Sequence, residues 1–235
     1  MLTSFFDQFI IVPLMYGWWN NAWLMLLIAP LLMYLFFDRI YMVPRRWQVL
    51  VEGLYGHWME TLKTNLGVQA GTYFPFLFSL FFMVAILNVL GLFPYVFTVM
   101  THIAITFGFS FSILIAVTVL SIQRFGKDFL SLFMPGGAPL ALAPLLVIIE
   151  TASYLSRAIS LGIRLAANLS AGHLLFAILA SFGFQMMAAG WWGLSLIPIS
   201  IMVFITLLEL AVAMIQAYVF CLLTSIYLAD TVALH

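Results

Sequence analysis

Charge is what this sequence has least of. Only 7% of its 235 residues are Asp, Glu, Lys or Arg, where an ordinary soluble domain carries roughly a quarter. Hydrophobic residues make up 66%, and the mean hydropathy is +1.18. A water-facing surface cannot be built from so few charges, so a soluble globular domain is excluded and an integral membrane protein is indicated. The eight basic and eight acidic side chains cancel, which leaves no basic face for nucleic acid and no acidic tail for a basic partner. The single cysteine, Cys221, lies inside an apolar run. That excludes an internal disulfide framework and a multi-cysteine metal site, and Cys221 reads as a small core residue. No G-x-x-x-x-G-K-[ST] loop is present, so the chain itself has no nucleotide site. No basic residue precedes Arg39, and Asp7 is acidic; the features of a secretory signal or an Arg-rich transit peptide are missing, and no import presequence is expected. Internal repeats and low-complexity tracts are also missing, so a single membrane domain is expected over residues 1–235.

What the sequence does have is apolar length. Runs over about 21–37, 74–93 and 101–122 each approach the ~20 residues that carry a helix across ~30 Å of hydrocarbon. They predict three upright spanning helices, the first kinked at Pro30 and the second closed by Pro94. Between the first two, over about 46–66, Trp47, Leu50, Val51, Leu54, Trp58 and Leu62 recur at helical spacing, with Gln48, Glu52, Glu60 and Lys63 on the other side. This amphipathic helix either lies on the membrane surface or packs against another subunit. Two further segments, about 140–187 and 194–229, are too long for upright crossings: at ~1.5 Å per residue each exceeds ~50 Å. They must tilt strongly or break. AAGWWG at 188–193 supplies the glycines and interfacial tryptophans of a reversal at a membrane edge, so the two segments form a long, tilted antiparallel hairpin. The expected fold class is therefore an all-α integral membrane protein.

The basic residues outside the hairpin are Arg39, Arg45, Arg46, Lys63, Arg124 and Lys127, and all fall on the loops at 38–73 and 123–139. These loops share one side, which the positive-inside rule makes the cytoplasm or mitochondrial matrix. The N-terminus and the 188–193 turn then lie on the outer side.

An ionisable residue at membrane depth costs several kcal/mol and marks a functional candidate. Glu150, Arg157 and Arg164 are spaced seven apart; seven residues advance a helix by ~700°, so they line one stripe. Ser160 and Asn168 lie beside it. Small residues crowd the same segment, among them Ser156, Ala158, Gly162, Ala166 and Gly172, and such a surface lets another helix approach closely. Folding the hairpin about its turn sets His173 opposite Glu209 (symmetric about residue 191) and Arg164 opposite Gln216 (symmetric about residue 190). Two polar stations result, the His173 station nearer the outer turn and the Arg164 station ~10–13 Å further along, with Glu150 another ~20 Å inward. Titratable groups on either side of a permanently charged arginine suggest two proton routes meeting at a barrier. His173 is nine residues from Arg164, about half a turn around an ideal helix, so the wall must curve or the cavity must wrap.

Structural roles stand beside these readings: an ion pair to a neighbouring subunit for Arg164, a carbonyl-bonded interior imidazole for His173, and interhelical hydrogen bonding for Asn168 and Gln216. Arg157 is read as structural. His57, His102 and His235 are assigned no role. A secondary transporter is disfavoured by the missing repeats, and a pure scaffold by the buried charges.

SLGIRLAANLSAGHLL at 160–175, LLELAVAMIQAYVF at 207–220, NVLGLFPYVF at 88–97 and the early DQFIIVPL together resemble subunit a of F-type ATP synthases. The resemblance covers nearly the whole chain. It implies a non-catalytic stator subunit of a proton-translocating complex, clamped against a rotating ring of c subunits and held with other stator subunits and a peripheral stalk in the lipid bilayer. Two offset half-channels would carry protons to and from the ring. Arg164 matches the family's essential arginine facing the ring's carboxylates. His173 and Glu209 match an outer proton relay, in the order of mitochondrial and alphaproteobacterial members; many bacterial members reverse it. Glu150 matches the release side, and Asn168 and Gln216 match positions lining the ring contact or the half-channels, with Ser160 as supporting polar lining. The resemblance implies neither cofactor nor metal, and no nucleic-acid partner. It places the chain in the mitochondrial inner membrane or an alphaproteobacterial plasma membrane.

Overall fold

The computed structural model describes residues 9–15, 19–37, 44–93, 96–126 and 143–232. The expectations attached to Asp7, Arg39, Pro94, Lys127 and His235, to most of the 123–139 loop and to residues 140–142 lie outside the described residues. Helix dominates: α1 (Asn21–Phe37), α2 (Arg46–Leu66), α3 (Ala70–Gly91), α4 (Ile103–Phe125), α5 (Ala143–Ala188) and α6 (Trp192–Val232). Four stretches are long and apolar enough to cross a membrane, and α1 supplies a shorter apolar helix. The protein is an all-α membrane protein. A two-stranded N-terminal hairpin, Pro13–Met15 (β1) with Trp19–Asn20 (β2), is the one described departure from helix that the sequence did not suggest. Asn21 holds it to α1: its side-chain oxygen accepts from the N–H groups of Val12 at 3.3 Å and Ala22 at 3.0 Å, and its amide nitrogen donates to the Ile10 carbonyl at 3.3 Å.

The chain forms two compact units. The first comprises residues 1–36, 82–106 and 164–218, the second residues 37–81, 107–163 and 219–235.

In the first unit α5 and α6 run antiparallel. The reversal between them is a Schellman closure: Gly190 takes φ of +82°, the Gly190 N–H donates to Met187 O and the Trp191 N–H to Met186 O, each at 3.1 Å. Only glycine accepts that left-handed conformation without a Cβ penalty. Trp191 and Trp192 are 61% and 72% exposed at the turn, as interfacial tryptophans are. Neither helix breaks. With 46 residues in α5 and 41 in α6, they measure ~70 and ~60 Å, about twice the thickness of a bilayer's hydrocarbon. Pro30 and Pro198 sit inside α1 and α6, as membrane helices tolerate where neighbouring groups satisfy the freed carbonyl.

In the second unit the apolar stripe of α2 divides. Its C-terminal half is buried through Trp58, Leu62 and Leu66, with Trp58 against Phe81 at 5.3 Å and Tyr55 edge-on to Phe74 at 4.4 Å. Its N-terminal half leaves Trp47 and Leu50 exposed. Gly67, at φ +58°, ends the helix and turns the chain into α3. Small residues permit close helix approach here: Ser110 of α4 donates a hydrogen bond to the carbonyl of buried Ala158 on α5. Thr118 of α4 bonds the Tyr154 hydroxyl at 2.9 Å, and Asn65 donates to Ser225 of α6 at 2.9 Å.

Candidate functional site

The first unit holds most of the polar groups singled out from the sequence. Arg164 and Asn168 are four residues apart on α5 and both exposed, with Ala167 and Ala171 exposed along the same stripe. Ile163, Leu175, Ile178 and Phe182 are exposed along the same helix at 47% or more, so Arg164 and Asn168 stand on a mostly apolar helix surface. On α6, Gln216 is buried and Glu209 half-buried, and His173 on α5 is half-buried.

The hairpin register brings the outer station together. Glu209 of α6 packs directly on the backbone of Gly172, where a Cβ would collide with the carboxylate. Eleven residues nearer the turn, a Cβ on Gly183 would contact Pro198 at 3.6 Å. Both pairs are symmetric about the 190/191 peptide. Sequence symmetry set Glu209 against His173; the structure sets it against the residue before. The carboxylate oxygen Oε1 of Glu209 and the imidazole Nε2 of His173 are both buried without a hydrogen-bond partner. Two titratable groups therefore lie within one residue step of each other, desolvated and unsaturated, the state in which a polar side chain is costly unless it has work to do.

Two long-range hydrogen bonds fix the hairpin in its unit. Asn88, fully buried on α3, donates to the Ala213 carbonyl at 3.2 Å. Ser170 of α5, one turn before His173, donates to the Thr101 carbonyl at 3.3 Å. The helices flanking Glu209 and His173 are thereby held in register.

Glu150 and Ser160 belong to the second unit, Glu150 half-buried and Ser160 exposed. Arg157, in the same unit, forms an ion pair with Asp230 near the end of α6 at 3.2 Å, both side chains being close to half exposed. Its partner is thus in its own chain. Among the described residues no group of three or more His, Cys, Asp or Glu could hold a metal ion.

Four residues passed over in the sequence matter to this geometry. Gly172 makes room for a carboxylate, but one glycine among many small residues carries no separate signal. Asn88 was hidden inside an apolar run that read only as a span end; a lone amide at membrane depth was the available signal. Asp230 lies one residue beyond the segment counted as hairpin. His102 was set aside, yet its Nε2 is buried without a partner.

A model of the family "ATP synthase A chain" matches residues 20–229. The chain is 57% identical over 236 residues to ATP synthase subunit a of Metridium senile, covering 100% of both chains. It is 41% identical over 250 residues to the Chondrus crispus protein of the same name, covering 100% of this chain and 98% of that one. To that of Granulibacter bethesdensis it is 46% identical over 196 residues, covering 82% and 78%. A match of this extent, joined to a membrane hairpin with an exposed arginine and a half-buried acid close to a histidine, places the chain in the ATP synthase A chain family.

Proposed function

We propose that the chain is the stationary proton-channel subunit of an F-type ATP synthase in the mitochondrial inner membrane, held by other stator subunits against a rotating ring of c subunits. The observation that carries this is the exposure of Arg164 on the apolar face of α5. A guanidinium at membrane depth keeps its charge at any accessible pH and must be met by water or an opposite charge. A rotor that presents carboxylates one after another supplies an opposite charge to the outward-facing guanidinium at each step.

The mechanism follows from the cost of charge in lipid. A rotor carboxylate crosses lipid only when protonated and ionises where water and a countercharge meet it. Arg164 stabilises the ionised form and bars direct proton passage between the two routes, so protons cross only by riding the ring. A potential of 100 mV supplies ~2.3 kcal/mol per charge, which makes ATP synthesis depend on several protons combined through rotation. His173 and Glu209 serve uptake from the outer side, with Gly172 seating the carboxylate. Glu150 serves release to the inner side, within the unit that also holds the Arg157–Asp230 pair. Asn168 lines the ring contact, and Gln216 lines the path within the hairpin.

Arg164→Ala tests this in sealed membrane vesicles carrying the whole synthase. Proton-driven ATP synthesis should be lost and passive proton conduction should rise. Arg164→Lys should also fail or nearly fail, because a buried lysine can lose its proton and offers no planar fork. Coupled synthesis at the normal rate in Arg164→Ala would contradict the assignment.

A further inference from the structure

Three titratable side chains of the first unit have a buried polar atom without a hydrogen-bond partner: His173, Glu209 and His102. The mechanism above uses two of them. His102 directly precedes α4, its ring stacked on Phe97 with centroids 5.2 Å apart. Its segment is tied to the hairpin at the level of the relay, since the carbonyl of the adjacent Thr101 accepts the hydrogen bond from Ser170, three residues before His173. Hydroxyls cluster around this tie. The Thr98 and Thr101 hydroxyls lie 3.1 Å apart, both residues buried, and buried Thr106 donates to the Ile103 carbonyl at 3.0 Å. The other titratable groups among the described residues of this unit are Tyr34 on α1, Arg164 and His173 on α5, and Glu209 and Tyr218 on α6. A neutral imidazole has one nitrogen protonated and the other able to accept, so it can take a proton at one nitrogen and release one from the other. His102, His173 and Glu209 do not converge as a metal site would.

We propose that His102 is a third titratable group of the outer proton path, accepting protons that enter from the outer side and exchanging them with His173 and Glu209. This rests on the channel reading above. In the step, hydronium gives one proton to the free ring nitrogen and leaves as water. The imidazolium releases the proton on its other nitrogen through the Thr and Ser hydroxyls and water towards the Glu209 carboxylate, and tautomer exchange restores the ring. One proton is gained and one lost.

The test is ATP synthesis in sealed vesicles carrying the complete synthase, measured against outer pH with the inner pH fixed. His102→Leu should slow synthesis by about tenfold or more and flatten the dependence on outer pH, at an unchanged amount of assembled complex. Should the leucine variant not assemble, His102→Gln, polar but unable to titrate, is read in its place. His102→Asp should recover much of the rate, with the pH profile displaced. A non-titrating variant with the normal rate and profile would overturn the proposal. So would equal slowing by His102→Gln and His102→Asp, or failure of both non-titrating variants to assemble, since either assigns the ring a structural role. Arg164→Ala, run in parallel, separates the two readings: if it still synthesises ATP the channel reading fails, and if it is inactive while His102→Gln behaves normally only the His102 assignment fails.

Discussion

Two parts of this chain treat apolar surface in opposite ways. In the Arg46–Gly91 stretch, half of the most apolar window is buried within the chain, against 17% in α5 and 11% in α6. The first carries no charge in its spanning portion and closes on itself through Tyr55, Trp58, Phe74 and Phe81. The second carries Arg164, His173 and Glu209 and leaves most of its length uncovered. Under the channel reading proposed above, the first region acts as scaffold and the second as half of an interface.

This contrast predicts different failures in the two regions. The largest effect is expected at Gly172, where any side chain displaces the Glu209 carboxylate. Gly172→Leu should reduce proton-driven synthesis about a hundredfold, from overpacking and carboxylate displacement of about 2–3 kcal/mol, while the complex still assembles. Quantifying assembled complex beside turnover checks this, and loss of assembly with normal turnover in the remainder would count against it.

Trp58→Ala should do the reverse. Trp58 is 1% exposed against Phe81, and emptying such a site costs about 3 kcal/mol. The amount of assembled complex should fall, and each surviving complex should turn over normally. A slowed turnover per complex would blur the division between scaffold and interface.

The smallest effect distinguishes details within the hairpin. Glu209→His alone sets two imidazoles near each other, and His173→Glu alone sets two carboxylates; either like pair displaces its titration and slows uptake. The double exchange restores one acid and one imidazole and should recover the pumping rate a few-fold over the single variants. The recovery is limited because Gly172 makes room for a carboxylate arriving from α6 and not for one on α5. A double variant no better than the worse single would show that the two groups act at separate places.

Much of the fold was legible because membrane helices announce themselves by length and composition. The 3.6-residue recurrence of Trp47, Leu50, Trp58 and Leu62 reads directly as α2, and AAGWWG reads as a reversal because only glycine turns the chain there. Which end of the α2 stripe is covered could not be read, since that depends on where α3 returns. Mirror arithmetic about the turn put Glu209 within one residue of its observed neighbour, and it failed by that one residue because the Schellman closure, not the sequence midpoint, sets the register. Asn88 and His102 stayed invisible as site residues for a different reason. Their significance lies in what they meet more than sixty residues away: Asn88 reaches Ala213, and the Thr101 carbonyl beside His102 meets Ser170. Nothing local in NVLGLF or in VMTHIA encodes those partners.

The central claim, that the exposed stripe of α5 around Arg164 faces the rotor, is tested most directly by cross-linking. Cys221 is the chain's single cysteine and is fully buried, so an introduced thiol reports with little background. Ala167→Cys, exposed one turn from Arg164, should form a disulfide on mild oxidation with a cysteine placed one turn from the rotor carboxylate in the assembled synthase. Leu165→Cys, 1% exposed, should not. Failure of Ala167→Cys to cross-link, together with free labelling of it by a lipid-soluble thiol reagent, would mean that the stripe faces lipid and would contradict the account.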